Sequence, residues 1–257
     1  MGDLDGRVAI VTGGARGIGL GCCEALSAAG ASIVIADIDK QQAQVSAKSL
    51  SGSAVAVEHD VRSADSAAAL RAATHEAFGR VDILVNNAGV GPNPAPIQDL
   101  TDAEYDRVMD TNARGTFLTS RAIAPDLIAQ TSGRIINVSS VVGQKGVGMV
   151  LPYVASKFAV RGMTHALAYE LAPYNVTVNT LCPGIVVTDL HSRVVGLFAS
   201  LEDTTEEQGW ESFRSRIPLA RFQSPRDLGE MAAFLASDRA ANITGASFNV
   251  DGGWQMA

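Results

Sequence analysis

Cysteine is scarce in this chain. Only Cys22, Cys23 and Cys182 occur in 257 residues. Two of them are neighbours and no CxxC is present, so neither a disulfide framework nor a thiolate metal site is implied. Histidine is equally thin: His59, His75, His165 and His191 stand without ligand spacing, and no metal is expected. Lysines and arginines never cluster, and the net charge is −7. Nucleic acid and anionic membranes are therefore poor partners on electrostatic grounds. No apolar run approaches the ~18 residues of a membrane span. The segment MGDLDGRVAIVTGG (1–14) carries two aspartates and lacks the basic region and long apolar stretch of a secretion signal. Together these absences predict a cytoplasmic, reducing setting and a small-molecule partner.

What is present is apolar residue, 47% of the chain, arranged in a rhythm. Short β-branched runs, RVAIVT (7–12), ASIVIA (31–36), SAVAVE (53–58), VDILVN (81–86), GRIINVS (133–139), NVTVNTL (175–181) and GASFNV (245–250), alternate with longer alanine- and leucine-rich stretches. The latter read as helices near 17–29, 40–50, 63–78, 101–130, 153–173 and 224–236. Strands that are apolar throughout belong to a sheet covered on both faces, and helices between them make βαβ units. The expectation is an α/β fold, a single doubly wound Rossmann-type domain over residues 1–257 with a seven-stranded parallel sheet. One segment, 189–216, is too long for a strand-to-helix link. An excursion of that length is usually functional or disordered; Leu190, Leu197, Phe198, Trp210 and Phe213 argue against pure disorder.

The first strand runs into TGGARGIG (12–19), followed by a helix. Glycines at 13, 17 and 19 let the backbone turn tightly and approach a ligand closely. The helix start offers N–H groups and a positive dipole end to a diphosphate. This spacing is not GxGxxG, and a glycine-rich turn by itself also fits an ordinary β-to-α connection. Asp37, ending the second strand 18 residues beyond Gly19, adds a carboxylate suited to ribose hydroxyls and repulsive to a 2′-phosphate. It could also cap the next helix. Arg16 could reach a 2′-phosphate, but direct carboxylate–phosphate repulsion weighs more, so NAD is expected over NADP.

At this point the chain resembles the classical short-chain dehydrogenase/reductase family over nearly its whole length. TGGARGIG (12–19), Asp37, Asp60-Val61, NNAG (86–89), Asn112, Ser139-Ser140, YVASK (153–157), PGIVVT (183–188) and NVDGG (249–253) carry the likeness. The resemblance implies cofactor binding by Gly13, Arg16, Gly17, Ile18, Gly19 and Asp37. It implies Asp60 and Val61 beside the adenine, and Asn87, Ala88 and Gly89 along the cofactor. Pro183, Gly184, Val186 and Thr188 would lie in the segment at the nicotinamide carboxamide, with Ile185. Asn86 reads better as a tie between strands. The family is commonly tetrameric or dimeric, and a homo-oligomer, preferably a tetramer, is expected through the helices at 101–130 and 153–173.

Tyr153 and Lys157 stand four apart, on one helical face. A phenol ionises near pH ~10, and burial raises that further, so a nearby ammonium would have to lower it. By resemblance, Tyr153 is the general acid/base and Lys157 both lowers its pKa and holds the nicotinamide ribose. Ser140, thirteen positions before the tyrosine, hydrogen-bonds the substrate oxygen, with Ser139 structural. Asn112 holds a water that relays protons to the lysine. A serine-hydrolase reading fails, because no GxSxG elbow occurs.

The substrate pocket is expected from Val90 to Pro96, from Gln144 and from 189–216. In that last segment Glu202, Asp203, Glu206, Glu207 and Glu211 would disfavour acidic partners if they face the mouth; equally, they could only solvate a helix. The run GWESFRSRIPLARF (209–222) is similar to polyol, sorbitol-type and acetoin/butanediol dehydrogenases. The resulting expectation is NAD-dependent interconversion of a small secondary alcohol, polyol or diol with its ketone. A 3-oxoacyl-thioester reductase and a non-catalytic NAD(H)-binding sensor are the alternatives.

Overall fold

The computed structural model describes residues 2–188, 192, 195–197, 199 and 203–256. Strands β1 (Val8–Thr12), β2 (Ser32–Asp37), β3 (Ala54–Glu58), β4 (Ile83–Asn86), β5 (Gly133–Val138), β6 (Val176–Pro183) and β7 (Ser247–Val250) form one seven-stranded sheet in the order β3-β2-β1-β4-β5-β6-β7. Every neighbouring pair is parallel. The helices are α1 (Gly17–Ala28), α2 (Lys40–Ser49), α3 (Ala64–Phe78), α4 (Asp102–Met109), α5 (Gly115–Gln130), α6 (Leu151–Leu171), α7 (Glu206–Arg214) and α8 (Pro225–Ala236).

Side chains alternate across each strand, so one β-branched run supplies two cores. Val11, Ile33, Ile35, Ile83 and Ile136 pack on Cys22, Cys23 and Leu26 of α1 and on Ala232 and Leu235 of α8. Ile10, Val34, Leu84 and Ile135 face the opposite layer, against Leu70 of α3, Ile123 and Leu127 of α5, and Leu171 of α6. Each fully buried Leu or Ile contributes roughly 1.5–3 kcal/mol. Central strands β1, β4, β5 and β6 are buried along their whole length, whereas the edges β3 and β7 are partly exposed.

Two boundaries differ from the sequence reading. The stretch 101–130 is not one helix: α4 and α5 are joined by a π turn at Asp110–Arg114, which contains Asn112. Such an inserted turn usually marks a place where a side chain must be re-aimed. Helix α6 starts at Leu151, with Pro152 in its first turn, where a missing N–H does no harm. That places Tyr153 near the helix start. Within 189–216, α7 is a true helix with a capping box between Thr205 and Gln208.

The chain leaves β1 for β2 and β3, then returns to β4 on the other side of β1. That reversal opens a crevice beyond the carboxyl ends of β1 and β4, the usual ligand position in open α/β sheets. No helix among the described residues is long and apolar enough to cross a membrane.

Candidate active site

The glycine turn closes directly onto the end of β4. Gly13 has φ +61, and a Cβ there would come within 2.8 Å of Ala88 Cα; a Cβ on Gly19 would lie 2.1 Å from Gly13 O. The turn is pinned by the Gly13 N–H donating to Ala36 O at 2.7 Å. Helix α1 then begins without a side-chain cap and without an acidic residue in its first turn. The N–H groups of Gly17 and Ile18 are left for an anion, and this cradle fits a dinucleotide diphosphate.

Asp37 stands at the end of β2. Its Oδ2 accepts from Ala15 N–H and its Oδ1 from Asp39 N–H, each at 3.0 Å. Asp39, not Asp37, caps α2, accepting from Gln42 N–H. Arg16 donates to Asp39 Oδ2 at 2.5 Å, so its charge is already matched by a carboxylate. Asp60 is gripped by Arg62, whose guanidinium holds its carboxyl below the usual carboxylate range. Val61 is buried beside α5.

The NNAG corner is mostly scaffolding. Asn86 Nδ2 donates to Ser120 Oγ and to Asn137 Oδ1, tying β4 to β5 and α5. Asn87 Nδ2 donates to the carbonyls of Thr12 and Gly13, both at 3.0 Å, and so straps the glycine turn to β4. Thr12 Oγ1 accepts from the N–H of Asn87 and of Ala88. Gly89 lies against Asn112, whose Oδ1 accepts from Val90 N–H at 2.8 Å. Asn112 Nδ2 donates to Val90 O and to Ser156 Oγ, both at 3.1 Å. Both amide hydrogens are therefore engaged within the protein. The side chain thus welds the π turn to the β4 corner and to α6.

Tyr153 and Lys157 do meet, with Nζ 5.6 Å from the ring centroid. Burial dominates the electrostatics of both groups. Burial pushes the Tyr153 phenol up to about 12, and the only opposing influence is the Ser140 hydroxyl beside it. Burial likewise pushes the Lys157 ammonium down to about 8. Nζ donates to Val138 O at 3.0 Å. For both groups desolvation is the larger influence.

The two serines take different positions. Ser139 Oγ donates to Lys157 O at 2.8 Å and fixes α6 to the end of β5. Ser140 caps the short turn at 141–143, accepting from Val142 N–H at 3.3 Å, and its hydroxyl lines a cavity together with Tyr153. The segment 183–188 completes this corner. Pro183 ends β6, Gly184 and Ile185 line the cavity, and Val186 is fully buried, bridged to Gln223. A Cβ on Gly17 would touch the Thr188 side chain at 3.4 Å, so this segment folds over the glycine turn.

The cavity has a volume of about 270 Å³. Of the stretch Val90 to Pro96 only Pro92 lines it; Asn93 is tied to Glu104 instead. Gln144 does not line it, because its amide donates to Asn249 Oδ1 at 2.5 Å. From 189–216 come Val195, Ala199, Gly209, Ser212, Phe213 and Arg216. Leu190, Arg193, Phe198 and Glu202 lie outside the described residues. Trp210 turns away onto Phe222, ring centroids 5.1 Å apart. Asp203, Glu206, Glu207 and Glu211 do not line the cavity; they are exposed, Glu211 pairing with Arg214 at 2.8 Å. The charged lining residue is Arg216, and these four acids lie on solvent-exposed positions instead of the cavity wall. Val147, Val150 and Trp254 are further wall residues that the sequence reading missed. Trp254 is brought in by the turn at Asp251–Gly253, where Asp251 accepts from the N–H of Gly253 and Gln255, and it stacks on Phe213 at 5.9 Å.

A family model described as "Enoyl-(Acyl carrier protein) reductase" matches residues 13–255. A galactitol 2-dehydrogenase of Agrobacterium fabrum is 38% identical over 255 residues, 99% of each chain. The crystal structure of levodione reductase superposes with a TM-score of 0.93 at 29% identity, covering 97% of this chain and 98% of that one. A 3-ketoacyl-(acyl-carrier-protein) reductase of Brucella melitensis, solved with NADH, gives a TM-score of 0.88 at 35% identity over 98% of this chain and 100% of that one. The relatives act under names that cover both polyols and ketoacyl groups. Matches of this extent, on a doubly wound parallel sheet with a glycine-lined crevice, place the chain among nicotinamide-linked oxidoreductases of alcohol and ketone groups: it belongs to the short-chain dehydrogenase/reductase family.

Proposed function

We propose that the protein is an NAD-linked oxidoreductase that interconverts a small secondary alcohol and its ketone. The observation that carries this reading is a cavity where the hydroxyls of Ser140 and Tyr153 converge, with the buried Lys157 ammonium over the Tyr153 ring. A bound nicotinamide supplies or accepts the hydride. Ser140 holds the substrate oxygen by a hydrogen bond. Tyr153 gives its phenolic proton to that oxygen in reduction and takes it back in oxidation. Positioned proton transfer of this kind contributes roughly 10²–10⁴ in rate.

Lys157 is the orienting cation: its charge favours the phenolate that forms once the proton has gone. Asn112 is a positioning residue, acting through Val90 and Ser156. The preference for NAD over NADP rests on two carboxylates, Asp37 and Asp39, at the end of β2, with Arg16 already matched by Asp39. A 2′-phosphate there would meet net negative charge. Gly13, Gly17, Ile18 and Gly19 would hold the diphosphate, with Asn87 and Ala88 shaping the turn from below. Asp60, Val61, Gly89, Pro183, Gly184, Val186 and Thr188 would bound the adenine and nicotinamide ends.

The walls between the polar groups are apolar: Val142, Val150, Ile185, Val195, Phe213 and Trp254. A heavily hydroxylated polyol would leave several hydroxyls without partners there. Within the range from polyol to diol, the cavity favours the less hydroxylated members. The polyol-type relative keeps the wider range in the test, and the thioester reductase relative supports the competing reading. The experiment is NADH oxidation with acetoin and ketoses set against acetoacetyl thioesters. Fastest turnover of the small ketone supports the proposal, and fastest turnover of the thioesters replaces it. Tight NAD(H) binding without turnover on any carbonyl would mean a sensor. We also propose a homo-oligomer, supported by exposed Phe117 on α5 and exposed Phe158 and Tyr169 on α6.

A further inference from the structure

The polar groups of the cavity fall into two sets. Ser140 and Tyr153 form one; Ser212 and Arg216 form the other. The second set is built on the last turn of α7 and the residues just beyond it, where Arg216 donates to Ser212 Oγ at 3.2 Å. That bond aligns the guanidinium but leaves its charge unmatched. Among the described residues no carboxylate pairs with Arg216, while its neighbour Arg214 is held by both oxygens of Glu211 at 2.8 Å. An exposed cation on an otherwise apolar wall is a ready partner for an anionic group on whatever fills the cavity, because charge-assisted hydrogen bonds are about twice as strong as neutral ones.

We propose that Arg216, aligned by Ser212, determines specificity by binding an anionic substituent of the substrate, the ketone or alcohol carbon being held at Ser140 and Tyr153. This rests on the alcohol–ketone reading above and refines it. The substrate is bifunctional: a reacting carbon–oxygen bond at one end, a short apolar body, and a carboxylate or phosphate at the other. Both anions offer the oxygen pairs that a guanidinium fork engages. Because Arg216 stands at the exposed rim, the preference weakens as salt is raised.

The test measures binding first and turnover second. Calorimetry on Tyr153→Phe with saturating NADH compares acetoacetate with methyl acetoacetate, and hydroxyacetone phosphate with hydroxyacetone. The expected result is that the anionic member of one pair binds at least about ten-fold tighter. The first pair identifies a carboxylate and the second a phosphate. Arg216→Ala in that background collapses the ratio towards one, and Arg216→Lys retains part of it. In enzyme with Tyr153 intact, Arg216→Ala should raise KM for the anionic member far more than it lowers kcat. Equal binding within both pairs, or an anion preference that survives Arg216→Ala, overturns the proposal. Absence of turnover with the anion preference intact and Arg216-dependent would leave this assignment standing and remove the oxidoreductase reading instead.

Discussion

At Tyr153 two influences oppose each other, burial and the Ser140 hydrogen bond, and burial prevails. The same is true of Lys157, which is moved from its ordinary 10.5 to about 8. That has a sign. Between about 8 and 10.5 the unfolded chain binds a proton that the folded one has lost, so this group makes stability rise with pH across that window. Tyr153, raised from 10.0 to about 12, acts oppositely: between those values the folded state keeps a proton the unfolded chain has released, and stability falls. Denaturation midpoints of wild type and Lys157→Met should therefore diverge below pH about 8, where the buried ammonium destabilises only the wild type, and converge by 10.5. Parallel curves would contradict this account of the lysine. Asp37→Ser belongs to the same scale. It should shift the kcat/KM ratio towards NADP by at least about ten-fold through removal of a like-charge contact, as read in paired cofactor kinetics.

At the scale of elements, a few side chains join segments that are distant along the chain. Asn112 ties the π turn to the β4 corner and to α6 through Val90 and Ser156. Asn112→Ala would leave partly buried groups of Val90 without their protein partner, costing up to about 1–3 kcal/mol for each one left unsatisfied; the urea midpoint should fall accordingly, and turnover with it. The strands were legible because a sheet covered on both faces demands uninterrupted Val and Ile, and Tyr153–Lys157 because helical spacing is local. The π turn was not, since one inserted residue leaves the apolar pattern of 101–130 intact. Gln144 was misplaced because its partner, Asn249, is 105 residues away. Trp254 was overlooked although Asp251, Gly252 and Gly253 spell a turn: the residue that the turn delivers is decided by packing on Phe213. For the acids of α7, sequence gives a helix its charge but not which face it shows to a cavity.

The whole molecule is a sheet whose reversal point fixes both ligand sites. The glycine turn and Asp37 lie on the β1–β2 side of the reversal, Ser140 and Tyr153 on the β5–α6 side, and a dinucleotide bridging them would carry its reactive end to the cavity. The exposed aromatics of α5 and α6 predict assembly at this scale. Sedimentation should give a tetramer, and the pair Phe117→Glu with Phe158→Glu should give smaller species; a wild-type monomer would contradict it. The most direct test of the central claim follows NADH absorbance with a small ketone in wild type and Tyr153→Phe, alongside NADH binding by fluorescence. The account predicts that wild type consumes NADH, that the variant loses roughly 10²–10⁴ of the rate, and that it still binds NADH. Undiminished turnover in Tyr153→Phe would contradict it.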